Sequence, residues 1–355
     1  MTQLHPLSVP HVFDTIIDSA APESLPTLRQ VCHLFRHRVD KRLASQLSYT
    51  RPAAISKRGS LRSSVCPSVW RPCWQQSSDV RLIDFTFERT GHFIDSRLWH
   101  ERKSVPRYPN LKYARFLHAP ACMTPDPEED EDMRMQPLPT VIVPRVAGCD
   151  YAKRRGGMDT VFVHKGTKHV TFPTAAKPTD SVWETKLQVS PRQSVDVTIL
   201  VLDRPEQDAA ATETKEDRTT LPMLQATVRQ LMEEHYAGHL SSASLVGLEN
   251  WRTSIPTLSD KQWDALIARR IRETAERGEY ADFDVSAFLS AVKVKSTTEW
   301  REEVGEEEYE LSESAYDPHR AWLIQECGWD PKAVKVEPVP QTRPTSSDPR
   351  LAFNT

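Results

Sequence analysis

The sequence lacks the features that mark secreted, membrane-spanning or nucleic-acid-binding proteins. Its six cysteines in 355 residues are too few for a disulfide scaffold. No apolar run approaches the roughly eighteen residues that a membrane-spanning helix needs, and no basic segment followed by a long apolar one opens the chain as a secretory signal would. The net charge of −3 is not the positive excess that nucleic acids and anionic membranes select. We therefore expect a cytoplasmic or nuclear protein that binds neither nucleic acid nor membrane.

Sequence patterns that carry known chemistry are also missing. There is no Gly-rich phosphate loop, no dinucleotide-binding fingerprint and no nucleophile elbow. His235 and His239 have the spacing of two zinc ligands on a helix, but Tyr236 stands where a metalloprotease has its glutamate. Cys66 and Cys73 have no second pair of ligands at zinc-finger spacing. We expect no catalytic residue, metal or cofactor, and a hydrolase or transferase with an unrecognised site is the least favoured class.

The N-terminal segment is dominated by two amphipathic helices. Pro10 suits a first helical position, and an apolar stripe on a short helix follows it, before Pro22 breaks the pattern. A longer stripe then runs from Leu25 to Val39. Helices this short cannot bury both stripes against each other, so something else must cover them.

These residues resemble an F-box, which has a Leu-Pro opening, an apolar pair one turn later, and a helix containing leucine, valine-cysteine and an aromatic residue. The resemblance covers residues 8 to about 48 and departs at Val9 and Phe35, where the family prefers Leu and Trp. It implies a three-helix unit that docks a Skp-type adaptor and so joins a cullin ubiquitin ligase. The residues that it implies for adaptor binding are Pro10, Phe13, Ile16, Ile17, Leu25, Leu28, Val31, Cys32 and Phe35.

Two further segments, 244–249 and 298–305, are similar to families of basidiomycete-yeast proteins with an F-box domain, which imply an architecture but no chemistry. The predicted function is a non-enzymatic substrate receptor of a cullin ligase with an unidentified protein target. The alternative is an interaction protein whose N-terminal helices pack on its own body and bind no adaptor.

The body of the chain contains short runs that favour β-strands. Five of them are centred near residues 84, 114, 142, 170 and 199, a period of about 29 that is typical of a leucine-rich-repeat-like solenoid. The consensus leucine and asparagine positions of such repeats are absent, and 161–170 also has the pattern of a hairpin. The predicted fold is α+β to α/β, with a helical unit followed by an irregular, repeat-like domain.

The C-terminal third alternates helices and strands, as a parallel sheet requires. Helices are predicted after Thr220 and from Ser259 to Gly278, with strands at 243–248 and 288–294, and the glutamates around Trp300 suggest a solvated helix. The predicted organisation is a helical unit (1–48), a linker (49–78), a body (79–329) with disordered insertions near 124–137 and 205–218, and a disordered Pro-rich tail (330–355). Lys335 in this tail matches a sumoylation acceptor.

Overall fold

The computed structural model describes residues 10–51, 60–66, 78–87, 110–118, 140–145, 159–163, 167–175, 185–189, 193–203, 220–250, 259–278, 280 and 282–325. Within them the chain forms a mixed sheet of nine strands, a separate pair of strands and nine α-helices. The predicted class, α+β to α/β, is confirmed at this level. The predicted insertions near 124–137 and 205–218, the tail 330–355 and Lys335 lie outside the described residues.

The elements occur in three groups along the chain. Helices α1 (Pro10–Ser19), α2 (Leu25–Val31) and α3 (His33–Ser45) come first, with a 3-10 turn at Pro22–Ser24. The strands that follow are β1 (Gln46–Arg51), β2 (Ser60–Ser63), β3 (Leu82–Phe87), β4 (Tyr113–His118), β5 (Thr140–Ile142), β6 (Asp159–Val163), β7 (His169–Ala175), β8 (Thr185–Val189) and β9 (Val195–Leu202). The last group is α4 (Thr220–Tyr236), β10 (Leu240–Val246), α5 (Asp260–Glu276), α6 (Val285–Ala291), β11 (Val292–Lys295), α7 (Thr297–Val304), α8 (Glu306–Glu313) and α9 (Tyr316–Gln325).

From β1 to β11 the strands of the main sheet follow their order in the chain, and β2 lies on the outer edge beside β1. Its order is β2-β1-β3-β4-β5-β7-β9-β10-β11, and every neighbouring pair is parallel except β1 with β2. One row across the sheet shows the register: Leu47, Ile83, Ala114, Val141, Val170, Val197, Ala243 and Val292. From Ile83 to Val197 the steps are 31, 27, 29 and 27 residues, close to the predicted period.

The hairpin pattern at 161–170 is wrong as a pairing, because β6 and β7 lie in different sheets. Strand β6 pairs with β8 in parallel, with Val161 beside Leu187, and β7 pairs with β5 and β9. Both β6 and β8 precede a main-sheet strand by a similar length of chain, so equivalent crossovers place them side by side. Each of these two crossovers therefore contributes one strand to the second sheet.

One face of the main sheet packs on helices α1 to α6 and on the β6–β8 pair. Alternate strand residues point to this face, as the two-residue period of a strand requires. They join a single apolar core with buried residues of the helices, including Leu43 of α3, Leu224 of α4, Trp263 of α5 and Phe288 of α6. This core runs the length of the sheet and holds the N-terminal helices and the C-terminal third in one body.

The other face carries a segment that we call the strap, residues 296–325, which contains α7, α8 and α9. We call the face beneath it the strap face. Trp300 of α7 and Trp322 of α9 are buried with Leu200 of β9 and Val246 of β10. Ala315 is buried with Leu117 of β4 and Ile142 of β5. The strap therefore extends from the β10 end of the sheet back to β4.

Two predicted segments differ from the structure. The predicted strand at 288–294 is mostly helix α6, because Asp284 caps that helix by accepting from the amide of Ala287 at 2.9 Å, and β11 begins only at Val292. The range 49–78, expected to be a linker, contains the end of β1 and all of β2. The capping box of Ser259 and Gln262 at the start of α5 is confirmed.

The two segments singled out at 244–249 and 298–305 belong to one corner of the fold. The carboxylate of Glu249 accepts from the amide and the hydroxyl of Thr297, at 2.9 and 3.0 Å, at the start of α7. Gly247, in the first of these segments, has a φ of +74°. A Cβ at this position would overlap the carbonyl oxygen of Val201. The close approach of residue 247 to the backbone of Val201 therefore requires a glycine at this position, next to the start of the strap.

Gly247→Ala should destabilise the protein more than Gly238→Ala, although both glycines have a φ of +74°. The left-handed conformation costs an L residue about 1–2 kcal/mol at either position. Only Gly247 adds an overlap, since Gly238 has open space around its Cβ position, and overpacking costs a further 1–3 kcal/mol, roughly. Urea denaturation of the two variants measures the difference, and equal losses would contradict the tight corner.

Candidate docking surface and strap face

The N-terminal helices form a unit held together by specific contacts. The rings of Phe13 in α1 and Phe35 in α3 meet edge to face with centroids 5.1 Å apart. Arg38 of α3 reaches Asp14 of α1 at 2.8 Å. In addition, Arg29 of α2 pairs with Asp40 of α3 at 2.7 Å. Helix α3 is thus the common support on which α1 and α2 are placed.

Part of the predicted adaptor-binding set faces the chain's own body. Ile17 is only 2% exposed and Leu25 is fully buried, both in the core that also contains Leu43 of α3. Leu28 and Phe35 are half-buried against the same core. These four side chains therefore hold the helical unit to the sheet and present little surface to another protein.

The rest of the set lies on the outside. Ile16 is 42% exposed, Val31 is 63% exposed and Cys32 is exposed. Pro10 begins α1, and the side chain of Phe13 is half-buried. Val12, which the sequence interpretation did not include, is as exposed as Ile16 and lies one turn before it on α1. Some side chains of the helices therefore join the core, which we call the inner face, and others keep apolar surface in water, which we call the outer face.

A buried ion pair lies in the strap face. Arg115 of β4 donates from Nε and Nη2 to the two carboxylate oxygens of Asp84 in β3, at 2.6 and 3.0 Å. Gln46 and Ser64 donate to the same carboxylate at 3.0 and 3.1 Å. The remaining Nη1 of Arg115 donates to the hydroxyl of Ser314 at 2.8 Å. A carboxylate that accepts this many bonds can remain charged in the interior, so the network ties three strands to the strap.

A second polar group in the strap face has the connectivity of a catalytic relay. His169 of β7 lies between Thr198 and Glu308, with Nε2 at 2.8 Å from the hydroxyl and Nδ1 at 3.1 Å from the carboxylate. Hydroxyl, imidazole and carboxylate in this order form the arrangement that activates a nucleophile. The sequence contains no signal for it, because the three residues come from β7, β9 and α8.

The same group also has a purely structural explanation. Thr198 is 3% exposed beneath the strap, so no substrate atom can approach its hydroxyl in this structure. The phenol of Tyr113 is near the group, and burial together with the charges of Glu308 and Glu307 raises the pKa of Tyr113 to about 12. What the arrangement does in this structure is hold α8 against the sheet.

The other candidate metal ligands of the sequence are His235, His239, Cys66 and Cys73. The ring of His235 packs against Phe283 and Phe288, whereas Nδ1 of His239 lies 3.0 Å from Glu234, so the two histidines have different partners. Cys66 is buried in the core, and Cys73 lies outside the described residues. In the described part of the chain, no three His, Cys, Asp or Glu side chains gather as a metal site would require. None of the described helices is long and apolar enough to cross a membrane.

Glu234 joins α4 to the second sheet. Its carboxylate accepts from the amide of Leu187 in β8 at 2.8 Å and lies 3.0 Å from Nδ1 of His239. It borders a cavity of about 20 Å³, large enough for one water molecule, which Phe172 and Thr227 also line. Burial raises the pKa of Glu234 above its ordinary value of 4.5, and the bonds from Leu187 and His239 oppose that rise only in part.

Glu234→Gln should become increasingly stable relative to the wild type as the pH rises above about 4.5. A carboxyl whose pKa is raised by folding stabilises the fold fully below its unfolded pKa, and that contribution is lost as the pH rises through the folded value. Glutamine keeps an acceptor for Leu187 and carries no charge. Melting temperatures of both proteins from pH 4 to pH 8 measure the effect, and a constant difference across this range would contradict the raised pKa.

Comparisons with known proteins identify no relative of this chain. No protein-family model matches the sequence, no curated protein matches it, and no solved structure matches the fold. Two features of the chain itself bear on its function. They are the exposed apolar side chains of the N-terminal helices and the polar groups of the strap face that α8 covers.

Proposed function

We propose that the chain is a substrate receptor of a cullin ubiquitin ligase, in which the outer face of α1 to α3 docks a Skp-type adaptor. The observation that carries this proposal is the division of the N-terminal helices into two faces. Ile17 and Leu25 join the chain's own core, while Ile16 and Val31 keep much of their apolar surface in water. A group of large apolar side chains exposed together on one surface is typical of a protein–protein interface, and in this proposal Val12, Ile16 and Val31 form such a group.

The resemblance to an F-box supplies the identity of the partner. A helical unit fixed to a larger body through its inner face can present its outer face to an adaptor without rearranging. Such preorganisation avoids part of the entropy that association costs. In this proposal Val12, Ile16, Val31 and Cys32 contact the adaptor, whereas Ile17, Leu25, Leu28 and Phe35 position them.

The sheet provides the body that would hold a protein target. Its strands follow one another at 27 to 31 residues from Ile83 to Val197, a spacing that supports a degenerate leucine-rich-repeat-like solenoid. Solenoids of this kind bind partners along an extended surface. The receptor would then carry the adaptor at the β1 end and its target along the sheet, with no chemistry of its own.

The alternative is a protein whose N-terminal helices are only part of its fold. It is supported by the burial of Ile17 and Leu25, which belong to the same core as the sheet. The two hypotheses differ in what the outer face does, because the alternative gives Ile16 and Val31 no partner. Variants at adjacent inner and outer positions therefore separate them.

Ile16→Asp should abolish capture of a Skp-type adaptor and leave the melting temperature almost unchanged. Ile16 is 42% exposed, and surface substitutions change stability by only about 0.5 kcal/mol. In an apolar interface the new carboxylate would cost several kcal/mol, roughly, which exceeds a hundredfold in affinity. Pull-down of purified adaptor, together with thermal unfolding of the same preparation, measures both effects.

Two controls complete this test. Ile17→Asp introduces the same charge one residue later, where the side chain is 2% exposed, and it should lower the melting temperature strongly. Val294→Asp replaces a residue of similar exposure to Ile16 at the β11 end of the sheet, and it should leave capture intact. Wild-type protein that captures no Skp-type adaptor would refute the receptor function and favour the alternative.

A further inference from the structure

Helix α8 is the least anchored part of the strap. Its only fully buried residue is Ser312. Tyr309 and Leu311 are partly buried against the two apolar clusters of the strap face. The helices on either side are held by large buried side chains, Trp300 in α7 and Tyr316, Trp322 and Leu323 in α9. Fully burying side chains of this size contributes about 1.5–3 kcal/mol each. The strap is therefore fixed at α7 and α9, with a weakly buried helix between them.

Polar contacts hold α8 to the strap face. Glu307 pairs with Arg81 at 2.9 Å, and Glu308 lies 3.1 Å from Nδ1 of His169. Arg115 donates to the carbonyl of Leu311 at 3.3 Å and to the hydroxyl of Ser314. The Arg81 pair is about half exposed on both sides, and such pairs contribute only about 0–1 kcal/mol. Two acidic side chains of α8 thus meet basic or donor groups of the sheet.

The junction with α7 combines one unusual backbone position with side-chain contacts between the two helices. Arg301 of α7 donates to Glu306 of α8 at 2.6 Å and lies over the ring of Tyr309, 4.9 Å from its centroid. Gly305 separates the two helices with a φ of +86°, and nothing lies within 4 Å of the place where a Cβ would be. Segments with few buried apolar contacts open locally at a lower free energy than the whole fold. Release of α8 would break the contact of Tyr309 with Trp300 and the pair of Glu306 with Arg301, and it would uncover the sheet beneath.

The uncovered surface would favour an acidic ligand. Three of its side chains lie at the amino-terminal ends of strands: Arg81 just before β3, Tyr113 in β4 and His169 in β7. Arg115 lies two residues after Tyr113 on the same strand. The acid on the next strand, Asp196, already accepts from the hydroxyl of Ser242 at 2.6 Å. The charge of Arg115 is already compensated by Asp84. Between β3 and β7 the strap face therefore offers the positive charge of Arg81 and several hydrogen-bond donors to whatever replaces Glu307 and Glu308.

We propose that α8 occupies a binding site for a helix of another protein. When α8 is released, the strap face between β3 and β7 binds an acidic helical segment of that protein. The matching segment carries two adjacent acidic residues, with an apolar residue three positions after the second, as in Glu307, Glu308 and Leu311. The description of this partner as a ubiquitylation target rests on the proposed receptor function, whereas the binding itself does not. A tethered helix competes at an effective concentration of the order of millimolar, so α8 sets a threshold for binding.

The test uses the full-length chain and a fluorescent peptide with the sequence of residues 305–315. Glu307→Lys/Glu308→Lys should release α8, because the new lysines face Arg81 and His169. Hydrogen exchange should then show lost protection at α8 and retained protection at α7 and α9. In fluorescence anisotropy the released protein should bind the peptide at least tenfold more tightly than the wild type does. Glu302→Lys/Glu310→Lys makes the same charge change at two exposed positions of the strap and should bind as weakly as the wild type.

Two further arms examine the chemistry of binding. Adding Arg81→Glu to the released protein should reduce peptide affinity at least tenfold, and so should replacing the glutamates at positions 307 and 308 of the peptide by glutamine. Equal binding of the glutamine peptide would overturn the proposal, since association would then be apolar only. Released protein that binds no peptide would also overturn it.

Failure of α8 to detach is equally informative. If α8 stays protected in the double variant, or if α7 and α9 lose protection with it even in the milder Glu307→Lys variant, α8 is part of the permanent fold and the proposal is wrong. None of these measurements includes an adaptor. Adaptor capture by the released protein, measured separately, shows whether the receptor function survives a negative result.

Discussion

A parallel sheet has to be covered on both faces, and this constraint shapes the whole chain. Strands that follow one another in parallel are joined by crossovers, and these place α4 to α6 and the second sheet on one face. Helices α1 to α3, which precede β1, lie on the same face. Water cannot be left on the other face either, because apolar residues such as Leu200, Val246 and Ile142 project there. The strap covers these apolar residues. Its buried aromatic side chains cover the apolar end of that face, and its polar side chains match the polar end.

The polar end of the strap face shows how the fold remains specific as well as stable. Asp84 and Arg115 would each be costly to bury alone, but as a pair that also receives Gln46 and Ser64 they satisfy one another. Removing one partner would leave a charge uncompensated in the interior. The spare donor of Arg115 is directed to the strap, so the network fixes where the strap lies on the sheet. The two surfaces proposed to bind partners are the outer face of α1 to α3 and the part of the strap face under α8, and neither belongs to the main apolar core.

Local pattern was sufficient for some of this architecture. The spacing of the β-prone runs located the strands that contain Ile83, Ala114, Val141, Val170 and Val197, because each crossover uses a similar length of chain. The capping box at the start of α5 was equally visible, since it depends on residues three positions apart. By contrast, β6 has the same local pattern as a main-sheet strand, and only its tertiary pairing with β8 assigns it to the second sheet.

The candidate sites were less visible because they depend on which side of an element faces the body. Ile16 and Ile17 are equivalent in a helical stripe, yet one is exposed and the other is buried. The glutamates of α8 suggested a solvated helix, and their partners Arg81 and His169 are more than 130 residues away, at separations of 226 and 139. Likewise, the relay of His169, Thr198 and Glu308 has no sequence signature. Such contacts are set by the packing of the strap and not by any short motif.

In the proposed receptor the N-terminal helices bind an adaptor through their outer face while their inner face belongs to the sheet. Hydrogen exchange of the full chain should be compared with and without a purified Skp-type adaptor. Binding should give new protection confined to residues 10–35, with no change in the strap or in α4 and α5. Absence of any change at saturating adaptor, or protection that appears only on the strap, would contradict the proposed receptor function.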